Sequence, residues 1–352
     1  MSATDVERVG TAVVGGGAAG LAAAWHLRQR GQDFMVLDER DRTGDSWRTR
    51  YQSLRLFTPA RFSALPGMPM PLPAKAHPDK DQYANYLEHY AAKFKIPVVR
   101  SSPVVAHRWR SGRHLLDMAH GRVEASRLVV ATGAWRAPAL PAFASRLDPA
   151  VHQVHSSQYR HAGALRPGPV LVVGAGPAGA DIASDAAREH LTWLSGPAVG
   201  HVPVSIVRSR LVRRWAYGLK VPDGRWGTAA QGWLRRRRSP LIWQTERDLR
   251  AAGIIRVPRT IGVRAGRPVL EDGRSPDVAN VVWCTGFRPD FRWLQPSAVG
   301  SDGWPLHRRG LSSTIPGLAF VGLPFQHTLG SGFLAGMSTD AEHVIDGLTS
   351  RQ

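Results

Sequence analysis

Residues 9–40, VGTAVVGGGAAGLAAAWHLRQRGQDFMVLDER, decide how the rest of the chain is read. An apolar run closing at Val14 predicts a strand, and the alanine-rich stretch from Ala18 to Arg30 predicts a helix. Between them Gly15, Gly17 and Gly20 stand at the spacing G-x-G-x-x-G. Each has a mechanical role: Gly15 makes the tight turn, Gly17 lets the backbone approach a diphosphate, and Gly20 lets helix and strand pack closely. The helix N-terminus then offers N–H groups and a partial positive charge to an anion. Gly31 stops the helix, residues 34–37 read as a second strand, and Asp38 arrives where a carboxylate accepts hydrogen bonds from a ribose. Strand, turn, helix, strand and acid in this order predict a dinucleotide site rather than an ordinary glycine-rich turn.

The pattern returns at Gly168. Val170 to Val173 reads as a strand, Gly174, Gly176 and Gly179 repeat the spacing, Ala180 to Glu189 reads as a helix and Leu191 to Leu194 as the next strand. Two such units predict an α/β chain that binds two dinucleotides. Setting FMVLDER beside LTWLSGP puts Ser195 where Asp38 stands, so the second unit lacks the acid that holds an unmodified ribose and repels a 2′-phosphate. NADPH is therefore expected there over NADH. Pro197 and Ala198 follow, leaving Arg208, Arg210, Arg213 and Arg214 as phosphate candidates if the chain folds back.

At 352 residues, 43% of them hydrophobic, the chain suits two domains. Its most apolar stretch, residues 11–27, is broken by Gly15, Gly16, Gly17 and Gly20, and no run is long enough to span a bilayer. The start, MSATDVERVG, lacks the basic-then-apolar form of a signal peptide, so a cytoplasmic location and no membrane partner are expected. The single cysteine, Cys284, excludes an internal disulfide and a C-x-x-C redox pair. The net charge of +19 comes mostly from arginines spread along the chain, with clusters at 208–214 and 235–238. Solvated surface is the favoured reading of these clusters, and nucleic acid is not expected as a partner.

Residues 39–73 read as a long proline-rich loop of the kind that wraps a ligand. No strand-turn-helix elbow surrounds Ser46 in the run GDSW, so it is not read as a nucleophile. Residues 81–94 set Tyr83, Tyr86, Leu87 and Tyr90 on one face of a predicted helix. Strands are expected at 98–99 and 104–109, and a further strand delivers the turn Ala131-Thr132-Gly133, where backbone closely approaches a ligand. Residues 277–284 repeat that logic, ending in Thr285-Gly286. The segment 205–248 interleaves Trp215, Trp226, Trp233 and Trp243 with arginines, which suits base stacking, a lid or a subunit contact, and leaves room for a homodimer. A strand at 318–321, a glycine loop and a helix from about Gly332 close the chain.

GGGAAG with Asp38, GDSW, ATG at 131–133, GAGPAG at 174–179 and CTGFRPD at 284–290 together resemble the two-dinucleotide-domain flavoproteins, specifically the flavin-containing monooxygenase-like branch. The resemblance covers nearly the whole chain. It implies two Rossmann-like domains, the NAD(P)H domain (161–280) inserted into a discontinuous FAD domain (1–160 and 281–352). It implies FAD contacts from Gly15, Gly16, Gly17, Ala18, Ala19, Gly20, Asp38, Glu39, Ser46, Trp47, Val105, Thr132, Gly133, Asp290, Gly322 and Gln326. NADPH contacts are implied for Gly174, Gly176, Pro177, Ala178, Gly179 and Ser195, and cofactor contacts for Thr285 and Gly286. Thr58 and Gln326-His327 are expected near the flavin edge by the same resemblance and by position. The branch carries a signature F-x-G-x-x-x-H-x-x-x-(Y/F). Here PAVHQVHSSQY keeps His155 and Tyr159 but has Pro149 and Val151 at the first two marked positions, and the tyrosine argues against the Baeyer–Villiger relatives. Asn85 and Asn280 are the only asparagines, so an active-site asparagine is not expected.

The implied chemistry is reduction of FAD by NADPH, addition of molecular oxygen as a flavin C4a-hydroperoxide, and oxygenation of a small nitrogen or sulfur nucleophile. The protein then positions the rings and excludes water, which requires no Ser-His-Asp set, and no catalytic side chain is named. Two alternatives stand beside it: an NADPH oxidase or reductase without oxygen insertion, and a redox-sensing flavoprotein that regulates a partner.

Overall fold

The computed structural model describes residues 6–209, 219–221, 231–232 and 239–350. Arg210, Arg213, Arg214, Trp215, Trp226, Trp233 and the arginines at 235–238 lie outside the described residues.

The larger sheet grows outward from Val6–Val14, whose Ala12, Val13 and Val14 are buried. Phe34–Leu37 and Gly121–Val130 flank it in parallel; Val98–Val99 and Leu318–Phe320 extend the two sides, also in parallel. Strands covered on both faces need continuous apolar runs, and TAVV, FMVL and LVV supply them. Val104–Arg110 and Arg113–Met118 add an antiparallel meander onto Gly121–Val130. The helices Ala18–Gln29 and Leu334–Thr349 share one core, with Leu21, Ala22, Ala341, Val344 and Ile345 buried together.

The smaller sheet is wholly parallel, in the order Ile255–Val257, Thr192–Ser195, Val170–Val173, Asn280–Trp283, His152–His155. It repeats the parallel part of the larger one strand for strand, with Val170–Val173 in the place of Val6–Val14 and Asn280–Trp283 in the place of Gly121–Val130. Each sheet is completed by a strand from across the other unit: Leu318–Phe320 returns to the first, and His152–His155 precedes the second.

The chain leaves the larger sheet and comes back at one place, where Ala137–Pro138 pairs antiparallel with Phe287–Arg288. The expected boundary at 280/281 therefore falls inside Asn280–Trp283, and the one at 160/161 falls after His152–His155, although both strands belong to the smaller sheet. Parallel pairing on either side of the second fingerprint strand draws both segments inward.

Helix Lys80–Lys93 opens with an Asp79/Gln82 capping box and buries Tyr83, Tyr86, Leu87 and Tyr90. Tyr86 Oη accepts from Leu65 N and donates to Met68 O, each at 2.7 Å, and Tyr90 Oη donates to Pro66 O at 2.7 Å. The proline-rich loop is thus fastened by phenol groups to a capped helix, which holds its upstream part over the first fingerprint.

Candidate dinucleotide sites and the cavity between them

At the first fingerprint Gly15 has φ +107°, and a Cβ there would stand 2.6 Å from the Ala131 carbonyl oxygen. A Cβ on Gly20 would stand 1.8 Å from the Gly15 oxygen, so helix and turn touch backbone to backbone. Gly17 is different: nothing lies within 4 Å of its Cβ position. That open side meets the N-terminus of helix Ala18–Gln29, which has no side-chain cap. Asp38 closes the turn, Oδ2 accepting from Gly16 N at 3.1 Å and Oδ1 from Arg40 N at 3.0 Å. Burial raises its pKa, and those two amides partly offset the rise.

A cavity of about 690 Å³ opens from this turn, a size ordinary for cofactor and ligand sites. Of the expected residues, Gly15, Gly16, Gly17, Ala18, Ala19, Asp38, Glu39, Ser46, Trp47, Thr132, Gly133 and Gly322 line it, as does Thr58. Trp47 is braced edge-on by Tyr83 at 4.9 Å. Gly322, with φ +86°, allows close approach to Ala19, since a Cβ would sit 2.9 Å from the alanine methyl. Thr132 Oγ1 is buried in the wall with no hydrogen-bond partner among the described residues.

Other expected residues stand elsewhere. Val105 is 59% exposed; an irregularity in strand pairing between Val104 and Ala106 turns it outward, and Val104 lines the cavity instead. Gln326 is fully buried off the cavity, its amide donating to Phe320 O at 2.7 Å and its carbonyl accepting from Leu323 N at 3.2 Å, so it shapes the loop that carries Gly322. His327 is likewise off the wall, stacked on His343 at 4.0 Å. Asp290 is absent from the wall and paired with Arg292 at 2.8 Å, which holds its pKa below the usual carboxylate range. The wall also includes residues that the sequence patterns did not single out, among them Arg50, Arg136, Arg160, Phe57, Phe287 and Phe333. Their positions depend on chain reversal between distant segments, and no local spacing marks them.

The second fingerprint copies the first. Gly174 has φ +112° with its Cβ position 2.3 Å from the Cys284 carbonyl oxygen, Gly179 would place a Cβ 1.7 Å from the Gly174 oxygen, and Gly176 again faces open space. Pro177 opens helix Pro177–Ala186, which has no side-chain cap. Ala178 is the residue of this turn that reaches the common cavity. Thr285 Oγ1 donates to Ala139 O at 2.6 Å, and the Gly286 carbonyl accepts from His155 Nε2 at 2.9 Å, so both brace the crossing strands.

Strand register corrects the comparison of the two second-strand ends. Gly15 N donates to Leu37 O, and its counterpart Gly174 N donates to Ser195 O. Ser195 therefore corresponds to Leu37, and Gly196 stands where Asp38 does. Ser195 is 1% exposed and its hydroxyl donates to Pro258 O at 2.9 Å, so it faces the interior. Gly196 has φ +132°, a conformation that a side chain rarely adopts. The absence of an acid at this position holds, for a residue one place further on.

An orphaned hydroxyl, two uncapped helix starts and two glycines open on the ligand side make this a chain whose residues fit two dinucleotides. The fold and site define an α/β oxidoreductase built on two dinucleotide-binding units. The model of the pyridine nucleotide-disulphide oxidoreductase family matches residues 12–194, and the chain belongs to that family. It is 35% identical over 340 residues to a CzcO-like oxidoreductase of Geobacillus kaustophilus, covering 95% of this chain and 96% of that one. It is 36% identical over 183 residues to the indole-3-pyruvate monooxygenase YUCCA1 of rice, covering 51% of this chain and 45% of the plant protein. Among solved structures, the flavin-containing monooxygenase of Stenotrophomonas maltophilia superposes with a TM-score of 0.80 at 24% identity, covering 98% of this chain and 99% of that one. The description of the matching family names a pyridine nucleotide, in agreement with a dinucleotide fingerprint. With Cys284 as its single cysteine, half-buried and with its thiol pKa pushed up by desolvation, this chain holds no dithiol pair of its own. No helix among the described residues is long and apolar enough to cross a membrane.

Proposed function

We propose that the chain is an FAD-dependent, NADPH-consuming monooxygenase that transfers one oxygen atom to a small nucleophilic substrate at nitrogen or sulfur. The observation that carries this reading is the single cavity lined both by the first fingerprint and by Ala178 of the second. Two dinucleotides held on these turns would share this one cavity. The rice relative, named for a monooxygenase reaction, supports an oxygenase over an oxidase.

In this reading the inserted unit runs from 139 to 286, between the paired crossing strands. Gly17, Ala18 and Ala19 bind the flavin's diphosphate, and Asp38 accepts from a ribose. Thr132 supplies its unused hydroxyl, while Trp47, Phe57, Phe333 and Met337 wall off water. Gly176 and Ala178 hold the nicotinamide dinucleotide. Bound FAD supplies hydride acceptance from NADPH and activation of molecular oxygen. The chain's own task is to hold the two rings in register and to keep the space dry.

The test supplies flavin-loaded protein with NADPH, ¹⁸O₂ and a panel of thioethers, amines and indole derivatives. One ¹⁸O atom per product molecule is expected for at least one member. Oxidation of NADPH with every electron recovered as hydrogen peroxide across the panel overturns the oxygenase reading in favour of an oxidase.

A further inference from the structure

Arg50 lies in the cavity wall, its Nε donating to Ser46 O at 3.1 Å and its guanidinium carbon 5.8 Å from the centre of the Phe287 ring, with no carboxylate in ion-pair range among the described residues. Arg160, in the same wall, donates to the Ser157 and Tyr159 carbonyls at 3.0 and 3.2 Å and pairs with no acid among the described residues. The two acids of the wall are committed elsewhere: Glu39 pairs with Arg136 at 2.7 Å, and Asp38 accepts the amides of its own turn. Burial holds Arg50 below its ordinary pKa, and the neighbouring charges of Arg40 and Arg160 push the same way. Like charges crowded into a half-dry wall are relieved by a bound anion.

The next residue fixes which anion. Tyr51 is buried, and its Oη donates to Asp181 Oδ2 at 3.0 Å. Asp181 stands in helix Pro177–Ala186, about one turn beyond the open Gly176 and the wall residue Ala178. A segment of the first unit is therefore pinned to the helix start of the second, and Arg50 is carried to it.

We infer that Arg50, seconded by Arg160, binds the diphosphate of the nicotinamide dinucleotide held on the second fingerprint, so that the first unit completes the cofactor site of the second. This rests on the assignment of NADPH to that fingerprint. Neutral helix-start amides supply part of the diphosphate's hydrogen bonds, and the guanidinium supplies the charge and the bidentate fork. Tyr51 and Asp181 act as positioning residues.

The experiment titrates flavin-loaded wild type, Arg50→Gln, Arg50→Lys and Arg160→Gln with NADP⁺ by calorimetry, with nicotinamide mononucleotide as the probe lacking the diphosphate bridge. Flavin content and circular dichroism are measured on each preparation. Arg50→Gln is expected to keep its flavin and weaken NADP⁺ binding about 10- to 100-fold, the effect of losing a charge-assisted contact. Arg50→Lys is expected to fall between, Arg160→Gln to lose less, and binding of the mononucleotide to change little. Unchanged NADP⁺ affinity in Arg50→Gln overturns the inference, even if a small carboxylate then binds more weakly. Loss of flavin with unaltered NADP⁺ binding also overturns it and moves Arg50 to the flavin's diphosphate. If wild type itself binds neither NADP⁺ nor NAD⁺, the cofactor assignment fails first, which separates that failure from one confined to Arg50.

Discussion

Gly17 and Gly20 stand three residues apart and meet a new side chain in opposite ways. A Cβ on Gly20 collides with the Gly15 oxygen at 1.8 Å, whereas one on Gly17 finds empty space. Gly20→Val is expected to cost about 3 kcal/mol or more through overpacking. Gly17→Val is expected to leave the stability of the flavin-free protein within about 1 kcal/mol of wild type and to abolish flavin retention. Denaturant titration and the visible spectrum of each purified variant check this; a Gly17→Val protein that stays yellow refutes the first site. The glycine spacing made both roles legible in the sequence. Other residues were not legible, for identifiable reasons: Val105 is turned out by a strand irregularity, and Gln326 spends its amide on its own loop.

At the scale of elements, helix Leu334–Thr349 carries a feature that its amphipathic pattern does not announce. Asp340 is fully buried beside Ser331, has no ion-pair partner among the described residues, and burial pushes its pKa up to about 7. The native state thus keeps a proton that the unfolded chain releases near pH 4. Stability from this group is present below about pH 4, declines by up to about 1.4 kcal/mol per pH unit toward 7, and is level above it. Asp340→Asn removes that slope. The variant's stability relative to wild type is expected to rise between pH 4 and 7, as measured by urea unfolding at each pH; a pH-independent difference rules out the buried proton. Helix Lys80–Lys93, by contrast, was readable in advance, because D-x-x-Q and the tyrosine spacing are local signals.

Across the whole molecule, two copies of one parallel arrangement differ at one decisive place: Asp38 in the first has Gly196 as its counterpart in the second. The backbone at Gly196, with φ +132°, disfavours any side chain, and so the acid that discriminates against a 2′-phosphate. We therefore expect kcat/KM for NADPH to exceed that for NADH by roughly tenfold or more, about 1.4 kcal/mol, in steady-state oxidation assays. Equal or reversed preference contradicts the assignment. Hydrogen bonds from Gly15 to Leu37 and from Gly174 to Ser195 define the register, which the spacing of FMVLDER and LTWLSGP does not encode.

The sequence by itself determined the tandem α/β plan, the two fingerprints, the single acid at Asp38 and the lack of a dithiol, because each rests on residues close in the chain or on a simple count. Only the tertiary structure decided that Gly196 rather than Ser195 answers Asp38, that the crossings pair at Pro138 and Phe287, and that Arg50 stands without an acid among the described residues, on a segment tied to the second helix. Those facts depend on strand register and on contacts between residues more than a hundred positions apart, such as Tyr51 with Asp181, and no local spacing encodes them.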